Sequence, residues 1–145
     1  MSLNLGFTWP LRVYWEDTDA GGIVFYANYL KFFERARTEW LRALGVEQHE
    51  LKAQTRGMFI VSETQLKYLA PARLDDQLWV TARLIEKGRA SLVVAQEAYK
   101  MVPSLVEDDQ TPGPTLCEGR IRIGWVSAET LRPGRIPQTI LEKFE

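Results

Sequence analysis

Between Glu16 and Tyr29 the chain reads EDTDAGGIVFYANY, a run that gathers acids, glycines and aromatic residues just ahead of a helical pattern. A carboxylate placed there lies near backbone amides that lack an intrahelical partner and sit at the positive end of the helix dipole. Such amides polarise a carbonyl oxygen and stabilise the oxyanion formed when that carbonyl is attacked. A carboxylate a few ångströms away can attack the carbon itself or deprotonate a water. Gly21 and Gly22 let a substrate come close to the backbone. An acyl thioester suits this arrangement, because a thiolate leaves with little help from a general acid. Simple turn chemistry explains the same residues without any reaction. A calcium loop opening at Asp17-Thr18-Asp19 has Asn28 at its twelfth position in place of a bidentate glutamate. A phosphate loop fails as well, since Gly21-Gly22 has neither the Gly-Lys-Ser/Thr ending nor GxGxxG spacing.

Other reactive groups are scarce. The chain has 1 histidine, His49, and 1 cysteine, Cys117, which excludes two-histidine metal sites, thiolate clusters and an internal disulfide. Chemistry without a metal then rests on carboxylates and backbone dipoles. His49 falls on a polar helix and reads as a surface residue, while Cys117 alternates with Ile121 and Ile123 and reads as a packed thiol. Glu63 reads as a solvated strand residue with a smaller claim to catalysis, and Asp17 as a turn or capping acid. Arg35 and Arg37, with Glu34 and Glu39, read as a salt-bridged helix face.

The elements that must position these groups follow from periodicity. Alternation predicts a strand over Trp9 to Glu16, with Leu11, Val13 and Trp15 on its inner face. Asn28 is the expected N-cap of a long helix with an apolar stripe of Tyr29, Phe33, Ala36, Trp40 and Leu44, stopped at Gly45. A shorter helix is expected over Val46 to Gln54, then strands over Met58 to Leu69, Gln77 to Glu86, Ala90 to Met101 and Leu116 to Ser127. Pro103 to Thr115, acidic and rich in proline, reads as an exposed loop, and a helical turn is expected after Pro133-Gly134. The sum is an α+β pattern in which a curved, mostly antiparallel sheet wraps one helix. A ligand site on such a sheet needs a second surface, which another subunit can supply.

The stretch VYWEDTDAGGIVFYANYLKFFERARTEWL, Val13 to Leu41, closely resembles the signature of the bacterial tol-pal-associated acyl-CoA thioesterases, within the 4-hydroxybenzoyl-CoA thioesterase group of hotdog-fold proteins. The similarity continues through YLAPARLDD (68–76) and GRASL (88–92) and ends near Arg135-Ile136-Pro137. The resemblance implies a hotdog fold over residues 1–145 as a single domain. It further implies a homodimer with shared active sites, commonly paired into a homotetramer. Asp19 falls on the family's catalytic carboxylate, and the Tyr26 backbone amide on the group that polarises the thioester carbonyl. Gly22 borders the substrate, Ile60 and Val61 fall where relatives line the acyl pocket, and Arg89 where basic side chains often meet the phosphates of coenzyme A. Many relatives carry histidine in place of Tyr26, whereas the 4-hydroxybenzoyl-CoA enzymes have an aromatic residue. A role made by the backbone survives that exchange; one made by an imidazole does not.

Composition narrows the class. The 145 residues suffice for one domain that buries roughly 70% of its unfolded surface. With 18 basic and 19 acidic side chains the net charge is −1, which argues against a nucleic-acid or polybasic membrane partner. No apolar run approaches a membrane span, and MSLNLGFTWP lacks the pattern of a secretory signal. The expectation is therefore a cytoplasmic acyl-CoA thioesterase without metal or cofactor, releasing a free acid and coenzyme A. A non-catalytic acyl-CoA or acyl-carrier-protein binding module, or a scaffold for phospholipid-synthesis enzymes, is the alternative. A hotdog dehydratase is disfavoured because His49, the chain's one histidine, is far from the motif.

Overall fold

The structure is a computed structural model, and it describes residues 6–103 and 110–144. Its strands are β1 (Phe7–Arg12), β2 (Gly57–Tyr68), β3 (Gln77–Lys87), β4 (Ser91–Pro103) and β5 (Gln110–Ser127). The helices are α1 (Asn28–Ala43), α2 (Gln48–Thr55) and the short α3 (Gln138–Leu141). The five strands form one antiparallel sheet in the order β1-β3-β4-β5-β2, so β1 and β2 are its edges.

Alternating residues of β3, β4 and β5 (among them Leu78, Val80, Leu92, Val94, Ile121 and Ile123) face α1 and are buried. From α1, Phe32, Phe33, Ala36 and Leu41 complete that core. Each fully buried aromatic or leucine of this kind contributes about 1.5–3 kcal/mol of transfer free energy. Gly119 makes the close approach possible: a Cβ there would lie 2.8 Å from the Phe33 ring and 3.0 Å from Leu66. The buried face of α1 is broader than the expected stripe, since it takes in Phe32 and Leu41 while Leu44 is only half-buried.

Four expectations are corrected. The first strand ends at Arg12, because the Asp17 carboxylate accepts the Tyr14 N–H (2.8 Å) and the Asp17 N–H reaches the Tyr14 carbonyl (3.0 Å), curling 15–17 into a single tight turn. Trp15 is consequently 79% exposed instead of pointing inward. Asn28 is the first helical residue, preceded by Ala27, and its amide nitrogen donates to the Asp17 carbonyl at 2.8 Å. Lastly, strands intrude on the expected loop. β4 runs to Pro103 and β5 starts at Gln110, with Met101 opposite Pro112 and Val102 opposite Thr111. Register breaks flanking Tyr99 leave Gly113-Pro114 unpaired, so the ladder accommodates a proline that has no N–H to give. Residues 104–109 of that expected loop lie outside the described residues.

Candidate active site

The loop from Asp17 to Ala27 is pinned on three sides. Thr18 bridges Val24 and Ile23 bridges Arg73. The Val24 N–H donates to Ala72 (2.9 Å), and Leu74 N–H to Gly22 (3.2 Å), which ties the loop to the segment after β2. The Phe25 N–H and the Asn28 side chain both donate to the Asp17 carbonyl, at 3.0 and 2.8 Å, fastening the loop to the start of α1. Asp17 itself is buried and engaged on both its side chain and its backbone, which fits the reading of it as a turn acid.

Within that frame Asp19 heads a tight turn. Its N–H donates to Ile23 (2.9 Å), its carbonyl accepts from Gly22 (3.0 Å), and its Oδ1 accepts from the Gly21 N–H (2.8 Å). Gly22 has φ of +77°, a conformation glycine adopts without steric penalty. The second carboxylate oxygen of Asp19 has no partner among the described residues, and the side chain borders an open cleft of ≈ 340 Å³ with Trp15, Thr18, Gly22 and Leu74. The carboxylate is thus fixed by one oxygen and free at the other.

From Ile23 onward the chain borders an aromatic cleft of ≈ 280 Å³, lined also by Tyr26, Tyr29, Tyr68 and Leu69. The rings of Tyr26 and Tyr29 both contact that of Tyr68, with centroids 5.9 and 5.7 Å apart. The Tyr29 hydroxyl accepts from the Ala72 N–H (3.3 Å), and burial pushes its pKa up. Among the described residues no acceptor engages the Tyr26 N–H, which precedes the first turn of α1. An unengaged amide at that place is the donor an oxyanion needs.

Asp19 and Gly22 therefore share one cleft, and Tyr26 borders the next. Ile60 and Val61 stand apart from both in the single chain, exposed on the edge strand β2 and lining a third cavity beside α1. Arg89 is exposed at the turn between β3 and β4, outside all three. Glu63 and His49 are exposed, in keeping with their surface reading. Cys117 is fully buried and its thiol pKa is pushed up to about 12, mainly by burial, so it is an inert packed group. Among the described residues no group of three or more histidine, cysteine or acidic side chains converges on a common point.

Arg37 departs from its expected salt-bridged face: it is buried, and its Nη1 donates to the Gln96 side chain at 2.9 Å. Glu39 pairs instead with Arg42. Trp15, Asn28 and the Arg37–Gln96 pair are the site-side features that periodicity missed. The signal for Trp15 was its position directly before the Glu16-Asp17 turn; for Arg37 it was its place among the apolar residues of α1.

A long helix against a five-stranded antiparallel sheet, with an acidic turn leading into the helix, is the hotdog architecture. The chain belongs to the thioesterase-like superfamily, whose family model matches residues 13–144. It is 46% identical over 142 residues to an acyl-CoA thioesterase YbgC of Haemophilus influenzae, covering 98% of this chain and 96% of that one. An acyl-CoA thioester hydrolase YbgC of Escherichia coli is 38% identical over 139 residues, 96% of each chain. Among solved structures, a 4-hydroxybenzoyl CoA thioesterase mutant complexed with 4-hydroxybenzoyl CoA superposes with a TM-score of 0.83, covering 95% of this chain and 97% of that one, at 18% identity. That last likeness is one of fold.

Proposed function

We infer that this chain is an acyl-CoA thioester hydrolase, a single hotdog domain that cleaves R–CO–S–CoA to a carboxylic acid and coenzyme A. The observation that carries the reading is the Asp19 carboxylate, held by the Gly21 N–H at one oxygen and open at the other, in a loop that leads to the unengaged Tyr26 N–H. The amide stabilises negative charge on the thioester oxygen as the carbonyl carbon becomes tetrahedral. The Asp19 carboxylate supplies the attack in one of two ways. As nucleophile it forms a mixed anhydride and expels the thiolate, and water then opens the anhydride. As general base it takes a proton from water, whose oxygen adds to the carbonyl carbon before the thiolate leaves and is protonated. Turnover in ¹⁸O-water followed by mass spectrometry of the Asp19 peptide identifies an anhydride opened at the Asp19 carbon, because only that route leaves heavy oxygen in the side chain.

No cofactor takes part in this reaction beyond the coenzyme A of the substrate. Gly22 borders the reacting carbonyl, Ile60 and Val61 line the acyl group, and Arg89 meets the phosphates of coenzyme A. A homodimer brings these groups together. The outer edge of β2 is a 12-residue strand on which Ile60 is 38%, Val61 46% and Tyr68 46% exposed, the kind of edge that another chain covers. Pairing of dimers gives the tetramer. A cytoplasmic setting, association with the tol-pal system, and contact with acyl carrier protein or phospholipid-synthesis enzymes complete the reading. No helix among the described residues is long and apolar enough to cross a membrane. A free-thiol release assay over acyl-CoAs of graded length and aromaticity tests the activity. Release well above the spontaneous rate for at least one class is expected, whereas saturable binding with no release from any would leave the chain a binding module.

A further inference from the structure

Arg37 carries a buried charge that no carboxylate of the described residues pairs with directly. Its side chain sits in the core with 8% exposure, and no carboxylate of the described residues lies within ion-pair distance of it. Its one side-chain hydrogen bond runs from Nη1 to Gln96 Oε1. Gln96 is locked in turn, because its Nε2 donates to the carbonyls of Phe33 (2.9 Å) and Thr81 (3.1 Å). No fully buried side-chain nitrogen among the described residues lacks a partner. The Nε and Nη2 edge of Arg37, which has no acceptor among the described residues, is therefore not fully enclosed. Arg37 lines a cavity of ≈ 200 Å³ together with Thr38, Leu41, Gln48, Ile60 and Val61, the open space beside its side chain. Glu34 lines it too, exposed and only partly offsetting the effect of burial on the guanidinium.

A chamber of mixed lining, with Glu34, Thr38 and Gln48 beside its apolar residues and a rigidly held cationic fork in its wall, selects a specific kind of occupant. A guanidinium edge matches oxygen acceptors, a carboxylate through two parallel bonds or a hydroxyl through one. An all-hydrocarbon occupant would cover the same N–H groups and give them nothing, and sites built to hydrogen-bond a ligand reject analogues that lack the partner. At roughly 30 Å³ per water-sized atom, the volume holds about six or seven heavy atoms. We propose that the Arg37 cavity is the far end of the acyl site and selects short acyl groups that carry an oxygen acceptor on their chain. This rests on the hydrolase reading above, in which Ile60 and Val61 line the acyl group.

The test uses the full chain and four-carbon thioesters matched in length: butanoyl-, 3-hydroxybutanoyl-, 4-hydroxybutanoyl- and succinyl-CoA. The expected result is a kcat/KM at least tenfold higher for one or more oxygenated members than for butanoyl-CoA, the winner showing whether hydroxyl or carboxylate is the ligand. In Arg37→Met the ratio falls to within about twofold of 1. Should that variant fail to fold, Val61→Phe, which fills the cavity and leaves the guanidinium in place, is expected to erase the preference too. A wild-type ratio near 1, or a preference that persists in a folded Arg37→Met, overturns the proposal. If no thioester is cleaved, the hydrolase reading is what has failed. The subsite is then read by calorimetric binding of butanoate, hydroxybutanoates and succinate to wild type and Arg37→Met, and the absence of any Arg37-dependent preference there overturns it independently.

Discussion

Replacing Gln96 by leucine tests how the polar centre of the core is held. The substitution removes three hydrogen bonds at a fully buried position, to Arg37, Phe33 and Thr81. The two neutral bonds are worth about 1 kcal/mol each, and the charge-assisted bond from Arg37 about 1.5–3 kcal/mol. A buried leucine returns about 1–2 kcal/mol through its apolar surface. The net loss is therefore about 3 kcal/mol, a large part of the stability of a domain this size. Arg37→Met alone costs less, since it strands only the Gln96 carbonyl oxygen. The double variant removes both polar partners together and leaves a matched apolar pair, so its cost should fall short of the sum of the singles by at least 1.5 kcal/mol. Urea unfolding at one fixed protein concentration, followed by far-ultraviolet circular dichroism, measures all four corners of the cycle. Additive losses, with a coupling below about 0.5 kcal/mol, would refute the reasoning, because they would mean that the two side chains do not depend on each other.

Two further outcomes follow from the geometry. Asn28→Ala removes the 2.8 Å bond that fastens the loop to the helix; it should cost about 1 kcal/mol in a melt and lower kcat about tenfold, with KM within threefold. Burial raises the pKa of Cys117 and Tyr99, each to about 12, and also raises that of Tyr29. The folded chain thus holds protons that the unfolded chain releases from about pH 9 upward. The stability these groups contribute should be fully present below that pH and fall away as pH rises toward 12. In Cys117→Ala the fall should be shallower, by up to about 1.4 kcal/mol per pH unit, as read by urea titrations across that range.

Much of the architecture was legible in local pattern. The helical spacing through Phe33, Ala36 and Trp40 and the alternation from Ile121 to Trp125 place those residues inward, where the structure buries them. Asp19, Gly21 and Gly22 were legible for a related reason: an acid followed by glycines between a strand and a helix defines a turn from neighbouring residues alone, and the structure closes that turn. What escaped depends on groups distant in sequence. Arg37 carries a charge and so reads as surface, yet its partner Gln96 lies 59 residues away, on a strand whose alternation marks it only as facing inward. Asn28 has the composition of a cap, but its amide bonds a carbonyl 11 residues back instead of its own helix. Trp15 continued an alternation that the Asp17 turn had already ended. In the 103–115 stretch, proline and glycine signalled loop, while a register break gave them room beside a continuing ladder.

The free oxygen of Asp19 is the group on which the hydrolytic account rests, and Asp19→Asn removes its charge while keeping an Oδ1 acceptor for the Gly21 N–H, so the loop is expected to hold its shape. Thiol release by this variant, measured beside its binding of a good acyl-CoA substrate, is the most direct test. The account predicts turnover lowered by about 10²–10⁴-fold with the Kd within threefold of wild type. A folded variant that turns over within tenfold of the wild-type rate would contradict it.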